Sequence, residues 1–350
     1  MNKRDLQYLW AFSIPLSAYV SLTSGSLLSY FTLLFTFGIL PFFELFTPQY
    51  THNFTEEEKK KRVSIVYFDI LLFLNIVWNF GLMFLFYKGL VSGEWTWSET
   101  IGKTLSIGIL QGSNGINVAH ELGHKPGLLH QMASRILLWP SLYGHFTTEH
   151  NYGHHTKVST PEDPATSRYG EWLYTFWFRS IIMGYISAWK IKLGMLRSVS
   201  GFKKFIGHPL IDFVIWPLLF PVLIYYFFGY YASIASLCIA MISVLLLESI
   251  NYIEHYGLLR KKTSDTRYEP VEKIHSWNSN HELGRVILYE LTRHSDHHYK
   301  AFKKYQNLDH FDASPQLPYG YPGSILLALL PPVWFSIMNP RVTTWRNKNL

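Results

Sequence analysis

The sequence predicts an all-α integral membrane protein with six transmembrane helices and a histidine-rich cytoplasmic cap. Long apolar runs recur along a chain that is 48% hydrophobic, and about 20 helical residues are enough to cross a hydrocarbon core. The mean hydropathy is nevertheless only +0.06, which indicates a large polar part beside the membrane helices. Most of the 16 histidines are concentrated in this polar part.

Six apolar segments predict the membrane helices. The loop between the first two is very short, so we expect a hairpin, and no small-residue cleavage site follows the first, which argues against a signal peptide. The fourth carries Gln111, Ser113, Asn114 and Asn117, polar groups that a membrane helix tolerates mainly when they face an interior. The predicted spans are residues 8–23, 26–46, 63–87, 100–119, 211–229 and 232–253.

The predicted cap comprises residues 120–208 and 255–350. Within it, residues 172–196 are rich in tryptophan and basic side chains, which favours an amphipathic helix along the membrane surface. The apolar run at residues 325–338 is broken by two prolines, so we expect it to dip into the surface without a seventh crossing. We expect one domain, residues 1–350.

The distribution of charge predicts the orientation. Six spans place both termini on one side, together with all of the 31 Lys and Arg residues except Lys88 and Lys103. The positive-inside rule makes that side the cytoplasm, and all the histidines fall there too. We therefore expect both termini and the histidine-rich cap to be cytoplasmic. The net charge of +7 then reflects topology, and no nucleic-acid partner is expected.

Histidines occur in three clusters, HELGH, EHNYGHH and TRHSDHH, with one more in NYIEHYG. Histidines four apart on a helix share a face, whereas adjacent residues point about 100° apart, so a His-His doublet suits two ions better than one. The pattern predicts two metal ions, although imidazole suits zinc, copper, iron and nickel alike. The candidate ligands are His120, His124, His150, His154, His155, His255, His294, His297 and His298.

Two further features bear on the chemistry. The single cysteine, Cys238, excludes a disulfide framework, a CxxC pair and an iron–sulfur cluster within the chain, so any electrons that the chemistry needs must come from another protein. Carboxylates next to the candidate ligands are well placed to accept the second N–H of a ring and raise its basicity. These candidates are Glu121, Glu149, Glu254 and Asp296.

HELGH also matches the HExxH motif of zinc metalloproteases, in which two histidines bind zinc and the glutamate is the base. That interpretation would use His120, Glu121 and His124. It leaves the other clusters without a purpose, and a five-letter match is weak in a long chain. A membrane protease is therefore the less favoured hypothesis.

The motifs HELGHK, EHNYGHH, NYIEHYGL and LTRHSDHH resemble, in order and spacing, those of the membrane-bound alkane hydroxylases (alkane 1-monooxygenases), within the histidine-box membrane desaturases and hydroxylases. WNSNH and LPYGYPG are also similar to that family, and the resemblance covers residues 112–342. It implies that the nine histidines ligate two non-haem irons, with no catalytic residue beyond them. It further implies oxidation of medium- to long-chain n-alkanes to primary alcohols with O2 and electrons from an external rubredoxin and its reductase.

Alternatives within this class are the hydroxylation or desaturation of fatty acyl chains and the hydroxylation of methyl-arenes. An apolar substrate would enter from the bilayer. Lys300, Lys303 and Lys304 could dock an acidic electron carrier, or simply face lipid headgroups. Bulky residues of the second span could set the depth of a channel. These are Phe31, Phe35, Phe37, Phe42 and Phe43.

Overall fold

The computed structural model describes residues 3–265 and 267–350, with the backbone alone for Lys3. The predicted domain range 1–350 therefore includes Met1, Asn2 and Thr266, which lie outside the described residues. Almost all regular structure is helical. The only strands in the described ranges are β1 (Lys262–Ser264) and β2 (Arg267–Tyr268), which pair antiparallel.

The first half of the chain forms a series of helices that begins with a 3-10 helix, Lys3–Phe12. A π-helical turn, Gln111–Ile116, joins α5 (Trp97–Leu110) to α6 (Asn117–Gly123) without a break. Thr55 and Thr96 begin α3 and α5 with reciprocal capping boxes, which satisfy the free N–H groups of the first turn. The helices are α1 (Ser13–Thr23), α2 (Ser26–Glu44), α3 (Glu56–Val63), α4 (Val66–Ser92), α5 (Trp97–Leu110), α6 (Asn117–Gly123) and α7 (Leu128–Leu138).

The second half contains the remaining helices. A second π-helical turn, His150–His154, separates two short helices, and Gly229, with a φ of 84°, forms the tight turn between α12 and α13. The helices are α8 (Phe146–Glu149), α9 (His155–Lys157), α10 (Leu173–Met195), α11 (Gly201–Ile206), α12 (Leu210–Phe228), α13 (Tyr230–His255), α14 (Glu282–Ile287), α15 (His294–Tyr299), α16 (Tyr321–Ala328) and α17 (Pro331–Asn349).

Among the described residues, four helices are long and apolar enough to cross a membrane: α2, α4, α12 and α13. The protein is thus an integral membrane protein. The predicted first and fourth spans are helical but do not meet the same test of length and composition. The first is short and partly 3-10, and the fourth carries the polar residues noted above. A fifth candidate exists only if α16 and α17, bent by 118°, count as one span.

The polar residues of the predicted fourth span face the protein interior, as expected. Gln111 Nε2 donates to the Leu137 carbonyl at 2.6 Å, and Asn114 Nδ2 donates to Asn75 Oδ1 at 2.9 Å. Close packing of α5 and its π-helical turn against α13 aligns the two helices. Their ends carry His120 and His255 to the same end of the molecule.

Candidate metal centre

The structure brings all nine candidate histidines together in two adjacent groups. In each group, one nitrogen from every ring lies within 4.8 Å of the corresponding nitrogens of the other rings. The other seven histidines lie outside both groups among the described residues. The five-histidine group consists of His120, His124, His150, His155 and His297, and the four-histidine group consists of His154, His255, His294 and His298.

The five-histidine group is assembled by α6, the π-helical turn with α9, and α15. His297 Nε2 lies 2.9 Å from His120 Nε2 and 3.1 Å from His155 Nε2. His124 Nε2 is 3.3 Å from His120 Nε2. His124 and His155 are half-buried, so this group reaches towards the solvent.

The four-histidine group is fully buried. His298 Nε2 lies 2.9 Å from His294 Nε2 and 3.2 Å from His154 Nε2, and His255 Nε2 is 3.2 Å from His294 Nε2. The end of α13 thus supplies His255, and α15 supplies two rings of this group.

The histidines of one cluster divide between the two groups in a way that α-helical spacing does not predict. His150 and His154 are four apart, but a π-helical turn separates them into different groups, and His150 instead pairs with His155 at 3.0 Å. Such turns are frequent at functional sites. In α15 it is His294 and His298 that share a group, whereas the ring of His297 points to the other. Both His-His doublets therefore serve two groups.

The ring nitrogens fit metal ions better than hydrogen bonds. Two nitrogens that each lie about 2.1 Å from one ion are about 3 Å apart when they subtend a right angle. His120 Nε2 approaches two other Nε2 atoms, yet a neutral ring nitrogen has either one hydrogen or one lone pair. Burial lowers the pKa of His124 to about 4, so this ring is neutral at pH 7, the form that binds metal.

The expected role of the neighbouring carboxylates, which was to accept the outer N–H of a ring, is not observed for any of the four in the described ranges. Glu254 Oε2 lies 3.1 Å from His294 Nε2. This nitrogen faces the other rings, whereas the expected role required contact with the outer nitrogen, Nδ1. Across the described ranges, the carboxylates of Glu121, Glu149 and Asp296 accept no hydrogen bond from these nine rings. Adjacent helical residues point about 100° apart, so a carboxylate next to a ligand is directed elsewhere.

Those three carboxylates have other surroundings. Glu121 accepts a hydrogen bond from the Tyr305 N–H at 3.4 Å. Glu149 is buried, and desolvation raises its pKa to about 7. Asp296 binds Lys303 Nζ at 2.5 Å and accepts from the Asp309 N–H at 2.7 Å. They support the fold around the rings without orienting a ring directly.

Asp163 has the role predicted for those carboxylates. Its Oδ2 accepts a hydrogen bond from His154 Nδ1 at 2.8 Å and another from the Thr166 hydroxyl at 2.5 Å. Burial alone would lower the pKa of His154, but Asp163 raises it above the ordinary value. No sequence signal marks Asp163, because it lies in an irregular loop nine residues after its partner.

Three cavities lie near the two groups and the end of α2. The inner cavity, of about 20 Å³, touches both groups through His120, His150 and His294 and is otherwise mostly apolar. The middle cavity, of about 40 Å³, shares Ile250 with it and includes Phe37. The outer cavity, of about 260 Å³, lies beside exposed Phe42 at the end of α2.

The fatty acid desaturase family model matches residues 95–324. The chain is 36% identical to alkane 1-monooxygenase 1 of Pseudomonas aeruginosa, over 98% of this chain and 92% of that protein. It is 37% identical to alkane 1-monooxygenase of Pseudomonas putida, over 90% and 78% respectively. The xylene/toluene monooxygenase hydroxylase component XylM of Pseudomonas putida is 27% identical over 81% and 77%. The chain is thus an oxygen-dependent monooxygenase that belongs to the fatty acid desaturase family and, within it, to the alkane 1-monooxygenases.

Proposed function

We propose that the protein is a di-iron monooxygenase that hydroxylates the terminal methyl group of medium- to long-chain n-alkanes to give primary alcohols. The observation that carries this proposal is the contact of one small, mostly apolar cavity with both histidine groups. Two non-haem iron ions, one per group, would supply the activation of O2. The nine imidazoles are the residues that would hold them.

The walls of the inner cavity suit an alkane terminus. Phe146, Leu247 and Ile250 present apolar surface beside the histidines, which would hold a methyl group near the metals and exclude water. Glu254 is fixed at this wall because its Oε1 accepts a hydrogen bond from the Tyr321 hydroxyl at 2.6 Å. Positioning of an unreactive C–H bond in a dry pocket is the contribution of these side chains.

The substrate would come from the bilayer. The middle cavity lies between α2, α13 and α16, and the outer cavity lies between α2 and α16 beside the exposed side chain of Phe42. Of the phenylalanines considered from the sequence, Phe37 lines the middle cavity and Phe42 lines the outer cavity, whereas Phe43 is exposed and lines neither. Phe37 is therefore the one that lies on the interior part of this route.

Electrons would come from rubredoxin and its reductase. The half-buried rings of His124 and His155 make the five-histidine group the nearer one to the cytoplasmic surface. Lys303 is neutralised by Asp296 and Asp309, and Lys304 donates to the Val63 carbonyl. This leaves Lys300, exposed after α15, as the docking candidate of the three.

Reconstitution tests the partner directly. Lys300→Glu should raise the KM for reduced rubredoxin several-fold at low salt without changing kcat, because surface charges steer encounter. Lys348→Glu, near the carboxyl end of α17, is the matched control. A KM that is equal in both variants would exclude docking at Lys300.

The rivals are distinguishable. The similarity to XylM supports methyl-arenes as an alternative substrate class for this chain. The match to the fatty acid desaturase family supports fatty acyl chains as another. A zinc protease is disfavoured because the Glu121 carboxylate binds the Tyr305 N–H and reaches none of the rings. Purified enzyme with reduced rubredoxin and O2 should convert octane or hexadecane to the 1-alcohol and contain two irons per chain. Oxidation of xylene or a fatty acid alone, or one zinc per chain, would overturn the proposal.

We further propose the predicted topology of one domain with six spans, in a bacterial inner membrane, with the cap and both termini cytoplasmic. The described helices α2, α4, α12 and α13 support four of these spans. In a Cys238→Ala background, Ser92→Cys should react with an impermeant maleimide added to whole cells, and Asn347→Cys should react only after lysis. The reverse pattern would contradict this orientation.

A further inference from the structure

Two of the sequence motifs, WNSNH and LPYGYPG, supply no ring to the metal centre but lie side by side. The Leu317 N–H donates to the Asn278 carbonyl at 2.8 Å, and the Asn278 N–H donates to the Pro315 carbonyl at 2.8 Å. This pairing brings His281 and Gly320 to the wall of the outer cavity. The end of α2 supplies Glu44 to the same wall.

Glu44 is a charged side chain in an unusual setting. It is only 2% exposed. Its Oε1 accepts a hydrogen bond from the Gly284 N–H at 3.0 Å, but its Oε2 has no partner. A Cβ at Gly284 or Gly320 would collide with the carboxylate, so both glycines are needed to admit it. An unpaired buried carboxylate oxygen is costly, which points to a ligand.

His281 offers a second free atom at the same cavity. Its Nδ1 lies 3.2 Å from the Glu44 carbonyl and donates to it, while its buried Nε2 has no partner. In the middle cavity, the Thr36 hydroxyl is likewise buried without a partner. Unpartnered polar atoms therefore occur at two successive points of an otherwise apolar route.

We propose that Glu44 and His281 form a binding site for the primary hydroxyl group of the alcohol product as it leaves the enzyme. This inference rests on the proposed alkane hydroxylation. A hydroxyl has one hydrogen to donate and lone pairs to accept. With one proton on either the Glu44 carboxyl or His281 Nε2, the pair offers one donor and one acceptor. An alkane can use neither, so the site distinguishes product from substrate.

The energetics of release explain why such a site is useful. The product has its hydroxyl at the metal end of the route and its alkyl tail towards the lipid, so the hydroxyl trails on exit. Moving a hydroxyl through an apolar passage without a hydrogen bond is costly. Thr36 would offer one partner on the way, and Glu44 with His281 would offer the last one before the lipid.

Photolabelling with matched probes tests this site without turnover. Each probe is an alkyl diazirine with its photoreactive group near one end, and that end carries a hydroxyl, a methyl or an ammonium group. Metal-loaded protein in lipid nanodiscs is irradiated with one probe at a time, without rubredoxin. Labelled peptides are then quantified by mass spectrometry at Tyr319, Leu326 and Leu327, which line the outer cavity.

The alcohol probe should label these residues at least about tenfold more than the methyl probe, since two hydrogen bonds to the hydroxyl correspond to such a ratio. In Glu44→Met and in His281→Leu the ratio should fall towards one. It should persist in Glu44→Gln, which keeps a donor and an acceptor, and in Phe43→Leu, an exposed neighbour on the same helix. Iron content reports whether each variant is folded. If Glu44→Met does not fold, His281→Leu alone tests the site.

Three outcomes would overturn the site: equal labelling by the alcohol and methyl probes, an unchanged ratio in both loss variants, or stronger labelling by the ammonium probe. The last would assign the cavity to a cationic lipid headgroup. Because no catalysis occurs in this experiment, its failure is distinct from a failure of alkane hydroxylation, which product analysis detects separately.

Discussion

His154 Nδ1 and Asp163 Oδ2 lie 2.8 Å apart, and among the nine rings described here only His154 has its outer nitrogen bonded to a carboxylate. The outer nitrogens of His255, His294 and His298 are buried without partners. The Asp163 bond fixes the tautomer of His154, so that Nε2 faces the other rings. The four-histidine group thereby has a buried negative partner that the five-histidine group lacks.

Asp163→Asn should weaken metal binding at the four-histidine group by about 10–100-fold, the usual effect of removing such a partner. Dialysis against graded chelator, followed by metal analysis, should show one of two ions lost at lower chelator concentration than in the wild type. Glu162→Gln, the exposed neighbour, is the control. Equal retention of both ions in Asp163→Asn would show that the hydrogen bond does not support metal binding.

The doublet at His297 and His298 should separate the two ions. His298→Ala removes one of four rings and His297→Ala one of five, so we expect each variant to retain about one metal ion, with the ion lost from a different group. The absorption spectra of the two iron-loaded variants should differ, because each variant retains the ion of a different group. His310→Ala, whose ring binds Asp312 instead, should retain both ions. Identical spectra in the two doublet variants would contradict the division into groups.

Phe37 should influence chain length because it lines the middle cavity. Phe37→Ala would widen the route, and we expect the ratio of hexadecane to octane oxidation to rise several-fold. Competitive turnover of the two alkanes, read by gas chromatography, measures this ratio. Phe43→Ala changes a side chain that is 53% exposed and should leave the ratio unchanged. A shift of the same size in both variants would mean that Phe37 acts through the helix and not through the cavity.

A buried ion pair lies in the segment before α15, and a hydrogen bond from Tyr8 joins it to the amino-terminal helix. Glu290 binds Arg285 and also accepts a hydrogen bond from the Tyr8 hydroxyl at 2.5 Å. Glu290→Ala would leave Arg285 buried without its counter-ion, which should lower stability by about 3–5 kcal/mol. Thermal unfolding in detergent measures the effect.

The matched control is Glu57→Ala, which removes a pair with Lys61 whose side chains are 80% and 73% exposed. This pair should contribute at most about 1 kcal/mol. Similar melting temperatures for the two variants would show that burial of the Glu290 pair is not important for stability.

Much of the architecture follows from local physics. Long apolar runs form α4, α12 and α13 because a hydrocarbon environment requires every backbone group to be bonded within its own helix. The polar residues from Gln111 to Asn117 face inward for the reason they were expected to. Residues 172–196 form one helix, α10, that is not among the candidate spans. Composition alone does not identify the spans predicted near α1 and α5. A short or polar helix can cross a membrane when other helices of the protein pack around its polar groups.

The sequence by itself predicted the nine imidazoles that the fold brings together, because residue type and clustering are local properties. It also indicated that each doublet would address two ions, or one ion and a neighbour. Only the tertiary structure decided how the rings divide. The π-helical turn sends His150 and His154 apart, and the fold brings the end of α13 to α15, which places His255 beside His294. Asp163, Glu44 and His281 are likewise visible only in three dimensions, since their roles depend on contacts between loops and helix ends that no periodicity records.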